Sequence, residues 1–585
     1  MATVTVTERK RWVGANVKRK EDPRFLTGTG RFVDDIRLPD MLHAALVRSP
    51  YAHARIRSIN ATKAVQHVGV HAVVTGKDIA EASNSLHSVS PMAAHYYCMA
   101  VDKARHVGEP VAAVIATDRY TAEDAAQMVE VEYEALPAVI DPEAAASPSS
   151  PVLHEEAGTN VNWRGTLLYG EVDQGFQRAS HVIREKFRVH RFCSTPIETY
   201  GCIAAYDRVT GNMTVWASCQ IGAVLIPPLA HALKIPVGKL RIICPDIGGG
   251  FGNKIGLTYM ILTAILAGRV GRPVKLIEDR RESIQGLQHG SESRYDVEAA
   301  VDKDGRILAL RINLLEDVGA YAAFPEPEGV VEQVFTGAYR IPAYSLNATI
   351  VLTNKCITGP NRGYGRYNVH FMLERLVDRI AKKLGLSPVE MRLRNYVRKE
   401  DFPYTTPSGN IYDGGDYAGT LRRALEVLDY DYWKSEQARL RPEGRYIGVG
   451  LASMVEVGTP DLSHFHLISK EPPGGFYSSN SEAATVRIDP VGRVTVATGT
   501  APQGQGQETA VAQIVADELG LDVHDVEVLP GFDSATHPYT GASGTYGSRF
   551  GGVVVGAVVQ AARAVRAKLL RAAGGLLGEL PERLD

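Results

Sequence analysis

An α+β protein in three parts is what this sequence predicts: an opening domain, then a unit that occurs twice. Three observations carry that reading. Short strand and helix signals alternate through the first quarter of the chain. The order hairpin, glutamine, helix, strand, glycine loop, helix then runs twice along the remainder. The glycines, 56 of 585 residues, gather in a few loops between a strand and a helix, well above the roughly 7% of an average protein.

Residues 1–24 read as an arm rich in Lys and Arg. The opening domain is placed at 25–141. His43–Val47 and Val70–Thr75 have strand patterning, and Pro110–Ala116 is an apolar run expected to be a buried strand. A helix is predicted over Thr121–Met128, with Glu123 and Asp124 in its first turn, where carboxylates complement the helix dipole. Val129–Tyr133 alternates again. Residues 142–152 are small and rich in Pro and Ser, which marks a linker.

The first copy of the unit is placed at 153–400. Ala204–Asp207 and Met213–Ser218 flank a turn, Gln220 follows, then a helix to Leu233, a strand Leu240–Cys244, the glycine loop and a helix Gly256–Leu266. The second copy is placed at 401–585. Ala484–Asp489 and Arg493–Thr498 form its hairpin, Gln503–Gln507 its glutamine loop, Glu508–Leu519 its helix, Val526–Leu529 its strand, and a helix starts at Gly551. Between the copies lie a hairpin, Tyr295–Val301 with Ile307–Leu314, and a long amphipathic helix. Phe371, Leu373, Leu376, Ile380 and Leu384 give that helix an apolar stripe, with Glu374, Arg375, Asp378 and Lys382 outside it. Gly385 ends it, and Ser387 caps a second helix from Pro388.

Composition narrows the function. Apolar residues make up 45% and charged residues 22%, with a net charge of −2. No basic excess exists to neutralise a phosphate backbone, so nucleic acid is excluded as the main partner. The cysteines are Cys98, Cys193, Cys202, Cys219, Cys244 and Cys356. They include no C-x-x-C pair, and scattered thiols fit a reduced, cytoplasmic setting. The N-terminus has no apolar signal region. The longest apolar runs, Tyr259–Ala267 and Val553–Val559, are about half of a ~20-residue membrane span. The 17 histidines show no H-E-x-x-H or H-x-H spacing, so no protein metal site is expected.

Four loops can carry chemistry. Asp246 to Lys254 contains Gly248-Gly249-Gly250-Phe251-Gly252 after a strand and before a helix. Bare N–H groups there suit close approach to a ligand, although a tight strand-to-helix turn has the same pattern. It is neither a P-loop nor G-x-G-x-x-G. Gly359 to Tyr367 places Arg362 and Arg366 on a glycine-hinged segment, where Arg362 can clamp an oxygen with its fork of donors or simply be solvated. Gln503-Gly504-Gln505-Gly506-Gln507 sets amide donors and acceptors beside bare backbone, a pattern suited to polar heterocycles. Gly544-Thr545-Tyr546-Gly547-Ser548-Arg549 offers hydroxyls and backbone donors for phosphate.

With these loops the sequence resembles the molybdenum-cofactor-binding large subunit of the xanthine dehydrogenase/aldehyde oxidase family. The resemblance rests on Gly-Gly-Gly-Phe-Gly-x-Lys at 248–254, Arg-Gly-Tyr-Gly-Arg at 362–366, Gln-Gly-Gln-Gly-x-Glu-Thr at 503–509 and Gly-Thr-Tyr-Gly-Ser-Arg at 544–549. Phe32 to Ile36, Val47 to Ala54, Glu374 to Leu376 and Arg392 to Asn395 are also similar. It implies an α/β hammerhead-like opening domain followed by two related cofactor-binding subdomains, the second incomplete. It also implies a hydroxylase that oxidises an aldehyde or N-heterocycle with water as oxygen source. The cofactor implied is molybdenum held by a pterin dithiolene, as the cytosine dinucleotide. The metal then needs no protein ligand. By motif position, Gln220 hydrogen-bonds an oxo or hydroxo ligand of molybdenum, Phe251 packs beside the substrate carbon, and Arg362 stabilises charge developing on substrate. Gly249, Gly250 and Gly252 belong to the same cofactor set, and Gln503 to Gln507 and Gly544 to Arg549 hold the pterin and its phosphates. An iron–sulfur small subunit and an FAD medium subunit are the implied partners.

Three departures qualify the resemblance. Asn361 precedes Arg362 where purine-oxidising relatives have phenylalanine. Gly363 stands where carbon-monoxide-oxidising relatives have a copper-binding cysteine. The family's Gly-x-Gly-Glu, which carries its catalytic glutamate, is not found. Gly578-Glu579 resembles it superficially but lies in an Ala/Leu helix pattern. Glu508 is the only carboxylate within the four motifs, and its place opens a helix that it would cap. The expectation is that a second polypeptide supplies the glutamate and covers Val553, Val554, Val558, Ala561, Val565 and Leu569, and that residues 1–585 alone are inert. The alternative is a non-catalytic cofactor-binding or scaffold protein that lost the base.

No cysteine set or flavin fingerprint provides for iron or flavin on this chain. Metal analysis of the isolated chain is therefore expected to give molybdenum without iron. Stoichiometric iron would reverse the assignment.

Overall fold

The computed structural model describes residues 11–86, 94–322, 334–456, 458–459 and 481–584; residues 1–10 of the arm lie outside these. One eight-stranded sheet runs through all three parts of the chain. Its order is Phe532–Asp533, Leu240–Cys244, Asn212–Ala217, Gly201–Asp207, Val274–Ile277, Leu42–Arg48, Pro110–Ala116, Val70–Thr75. The last three strands are the opening domain's, the middle four the first copy's, and the first the second copy's. Pro110–Ala116 is buried along nearly its whole length between neighbours on both sides, which explains its unbroken apolar run.

The two copies share a topology. Asn212–Ala217 pairs antiparallel with Gly201–Asp207 and parallel with Leu240–Cys244. Val494–Thr498 pairs antiparallel with Ala484–Ile488 and parallel with Val526–Val528. In each copy a helix makes the crossover between the parallel strands, Gly222–Ala232 in one and Gln507–Leu519 in the other. A five-stranded sheet, Val161–Tyr169, Tyr344–Val351, Ile307–Asp317, Glu292–Val301 and His181–Val189, packs under the helix Arg366–Leu384.

The linker at residues 142–152 is held by local contacts. Asp141 accepts hydrogen bonds from the Glu143 and Ala144 N–H groups and caps the turn Pro142–Ala145, while Ala145 and Leu153 are buried with Val139. Several expectations are corrected. The helix predicted at Thr121 begins at Arg119, because Asp118 accepts from Thr121 N–H, so Glu123 falls beyond the first turn. In the long helix Phe371 is 44% exposed and Glu374 is buried. Glu374 accepts from Arg392 Nη2 at 2.7 Å and from the Tyr339 hydroxyl, so ion pairing turns the carboxylate inward against its polarity. The stripe on the last helix is covered only in part within the chain, with Val553, Ala561 and Val565 half-buried. Val554, Val558 and Ala562 are fully buried in one cluster with Val511, Val515 and Val486, although Leu569 stays exposed. That helix opens with a wide π turn, Phe550–Val554.

The opening domain is joined to the first copy by a buried charge cluster. Arg48 reaches Glu282 at 2.9 Å and the Tyr259 hydroxyl at 3.0 Å, and lies 3.7 Å from Glu278. Burial pushes the Glu278 carboxyl from its ordinary 4.5 up to about 7, with Arg48 opposing the shift. Between these values the folded protein holds a proton that the unfolded chain has released. This contribution to stability is present in full below the ordinary value and is lost as pH rises through about 7. Denaturation midpoints are expected to fall between about pH 5 and pH 8, and Glu278→Gln should flatten that slope. An unchanged slope in the variant would assign the dependence to another group.

Candidate functional site

The loops of both copies meet at a cavity of about 850 Å³. Gln220 builds the junction. Its side-chain Oε1 accepts from the Gly252 N–H at 2.8 Å, and its Nε2 donates to the Thr545 carbonyl at 3.2 Å. Its backbone carbonyl accepts from Thr545 N–H at 2.9 Å. One amide thus ties the first glycine loop to the glycine loop of the second copy, and an Nε2 hydrogen is left over for a ligand.

Glycine at 252 is required by approach as well as conformation. It has φ +100°, and a Cβ there would lie 2.0 Å from the Pro360 carbonyl oxygen. The first loop is thereby pressed against the segment that carries Arg362. Phe251, at φ +55°, is 46% exposed and projects into the cavity. Arg362 is exposed on the opposite loop and lines the same space. Asn361 is buried on the cavity wall, and its Oδ1 accepts from Ser194 N–H at 3.2 Å, so its side chain braces the loop. Gly363 has φ +106° and abuts the Tyr367 ring. A side chain at that position would be strained as well as crowded.

In the second copy Gln503, Gln505, Gly506 and Gln507 line the cavity, as do Gly544, Thr545, Tyr546, Gly547, Ser548 and Arg549. The first two glutamines also organise each other: Gln505 Nε2 donates to Gln503 Oε1 at 2.8 Å, and Gln503 N–H donates to Gln505 Oε1 at 2.7 Å. Gln507 Oε1 and Thr545 Oγ1 are buried without a hydrogen-bond partner among the described residues. Arg549 is fully buried against Glu482 and donates to the Ser481 and Gly544 carbonyls at 2.6 and 3.0 Å. Its guanidinium shapes the loop's own backbone.

Gly249 and Gly504 are not on the cavity wall. A Cβ at 249 would meet the back of the Phe251 ring, and the space around Gly504 is open. Glu508 does not cap its helix. It accepts two hydrogen bonds from Arg24 of the arm, at 2.7 and 2.5 Å. Burial pushes its pKa up, and Arg24 pulls against that shift. Glu579 follows the end of the last helix, away from the cavity.

Glu456 is the carboxylate among the described lining residues, and sequence reasoning missed it. It lies 3.2 Å from Arg366, and burial raises its pKa despite that cation. A lone carboxylate in the run Leu451 to Val457 is the one signal that could have found it. Met454, Tyr364 and Tyr367 complete this side. Among the described residues no group of three His, Cys, Asp or Glu side chains is arranged to hold a metal ion.

Comparison with known proteins identifies the domains and the fold. Residues 27–137 match the aldehyde oxidase and xanthine dehydrogenase a/b hammerhead domain, and residues 153–396 and 423–585 each match a molybdopterin cofactor-binding domain. The carbon monoxide dehydrogenase large chain of Hydrogenophaga pseudoflava is 37% identical over 582 residues, which is 95% of this chain and 71% of that protein. The nicotine 6-hydroxylase large subunit of Paenarthrobacter nicotinovorans is 35% identical over 579 residues, 97% of this chain and 69% of that protein. The crystal structure of quinoline 2-oxidoreductase from Pseudomonas putida 86 superposes with a TM-score of 0.89 at 36% identity, covering 99% of this chain and 73% of that chain. Several such relatives are large chains or subunits of multi-subunit complexes. The chain therefore belongs to the xanthine dehydrogenase/aldehyde oxidase family of molybdenum-dependent oxidoreductases, as a molybdenum-cofactor-binding large subunit.

Proposed function

We propose that this chain binds the molybdenum cofactor in its cytosine dinucleotide form and oxidises an N-heterocycle or an aldehyde. The observation that carries the reading is the convergence of glutamine and glycine loops from both copies, with Gln220 and Arg362, on one cavity. The residues present fit the group. Gln507 Oε1 and Thr545 Oγ1 are buried acceptors without partners, and bare backbone at Gly506, Gly544 and Gly547 leaves room for a planar pterin and its phosphates. When bound, the cofactor supplies a two-electron oxidation with water as oxygen source.

The protein's share is binding and orientation. Gln220, already fixed by two loops, has one amide hydrogen left with which it would help to hold the cofactor. Phe251 orients a flat substrate by its ring face. Arg362 stabilises negative charge as it develops on the substrate. The names of the nicotine and quinoline enzymes support a heterocycle. Gly363 has no side chain with which to hold a second metal, which argues against carbon monoxide despite the similarity to carbon monoxide dehydrogenase. Electrons leave through a separate iron–sulfur small subunit and an FAD medium subunit, in a cytoplasmic complex. No described helix is long and apolar enough to cross a membrane.

The test is to purify the complex, supply an artificial electron acceptor, and screen aromatic N-heterocycles and aldehydes in isotopically labelled water. Label in the product supports hydroxylation. Arg362→Ala is expected to lower turnover on the order of 10²–10³-fold with molybdenum content unchanged. Loss of molybdenum instead would assign Arg362 to cofactor binding. Running the chain by itself decides the proton acceptor. Turnover that is abolished by Glu456→Gln would place the base on this wall, and an inert chain that gains turnover when its genomic neighbour is co-expressed would place it on that second polypeptide.

A further inference from the structure

The N-terminal arm precedes the opening domain in sequence, yet its described part packs on the second cofactor-binding copy. Trp12 N–H donates to Asp517 at 2.7 Å and its indole donates to the Leu521 carbonyl at 3.0 Å. Lys20 N–H donates to the Thr509 hydroxyl at 2.8 Å, and its ammonium donates to the Val523 carbonyl at 2.9 Å. The arm thus follows the helix Gln507–Leu519 from end to end and finishes at the glutamine loop. There Pro23 starts a helical turn, Asp22–Leu26, that carries Arg24.

Arg24 bridges both copies. Nη1 and Nη2 donate to the two oxygens of Glu508 at 2.7 and 2.5 Å, and Nη2 also donates to Asp246 at 2.8 Å. Asp246 is held from its other oxygen by Arg31 N–H at 2.9 Å. Both carboxylate side chains are only 9% exposed. Asp246 stands two residues before Gly248 in the first copy's loop, and Glu508 directly follows Gln507 in the second copy's. Two like charges are therefore brought together out of water by a single cation. Planar forked geometry lets one guanidinium serve both, which a lysine cannot do. None of the three residues lines the cavity.

We propose that Arg24 is a positioning residue for cofactor retention: it sets the spacing between the glycine loop of the first copy and the glutamine loop of the second. This rests on the reading that the cavity between those loops holds the cofactor. Without Arg24 the Asp246 and Glu508 carboxylates repel, and the two loops move apart.

The experiment measures molybdenum and pterin per chain over time after gel filtration, on the purified complex, for Arg24→Ala, Arg24→Lys, the pair Arg24→Ala with Glu508→Gln, and Asp517→Asn. The last loosens the far end of the arm without touching either loop. Melting temperatures are recorded beside the retention. Arg24→Ala is expected to lose cofactor on the order of tenfold faster, the scale of losing charge-assisted hydrogen bonds. Arg24→Lys should fall between it and the unaltered protein, and provides the test if the alanine variant does not fold. Adding Glu508→Gln should slow the loss again, because it removes the repulsion, an effect that a merely structural role would not produce. Retention unchanged in Arg24→Ala, or loss equally fast in Asp517→Asn, would overturn the proposal. An unaltered complex containing neither molybdenum nor pterin would instead overturn the cofactor reading beneath it.

Discussion

Everything at the cavity depends on one amide. Gln220 uses its side-chain oxygen on the Gly252 N–H, its side-chain nitrogen on the Thr545 carbonyl, and its own carbonyl on the Thr545 N–H. A carboxylate in its place would lack the donor, and a lysine would lack the acceptor. Because both loops are pinned to the same residue, their spacing across the cavity is fixed by its three hydrogen bonds. Preorganisation of this kind gives oriented dipoles their worth in catalysis.

The duplication is symmetric in backbone and asymmetric in use. Gln220 and Gln503 both follow the hairpin of their copy. The first spans to the other copy, whereas the second pairs with Gln505 in its own loop. Likewise the first copy's loop contributes an aromatic ring, Phe251, and the second's contributes hydroxyls and backbone N–H groups. The proposed function assigns one half to the reacting molecule and the other to the long cofactor. A single repeated scaffold thus supplies two different walls, since loop side chains vary while strand pairing does not.

What the sequence made legible was local. Val70–Thr75 and Pro110–Ala116 are strands because apolar patterning and turn signals lie within a few residues of each other. The four loops were legible because glycine runs mark close backbone approach. Missed features are those decided by distant partners. Glu374 reads as a solvent-facing residue until Arg392 and Tyr339 are folded over it. Glu508 reads as a helix cap until an arginine 484 positions earlier reaches it. Glu456 has no motif at all, and only tertiary folding sets it beside Arg366. Residues 142–152 read as a linker from their Pro/Ser content, but the composition gives no sign that Asp141 caps them and that Ala145 is buried.

The docking of the arm has a consequence for biosynthesis. Trp12 and Lys20 are among the first described residues to leave the ribosome, and their partners Thr509, Asp517 and Leu521 are among the last. At about 5–20 residues per second, the arm waits roughly 25–100 s before its binding surface exists. The edge strand Phe532–Asp533 joins the eight-stranded sheet equally late. The first copy and the opening domain can therefore assemble while the cleft is still open on one side, and the arm folds down only when the second copy arrives.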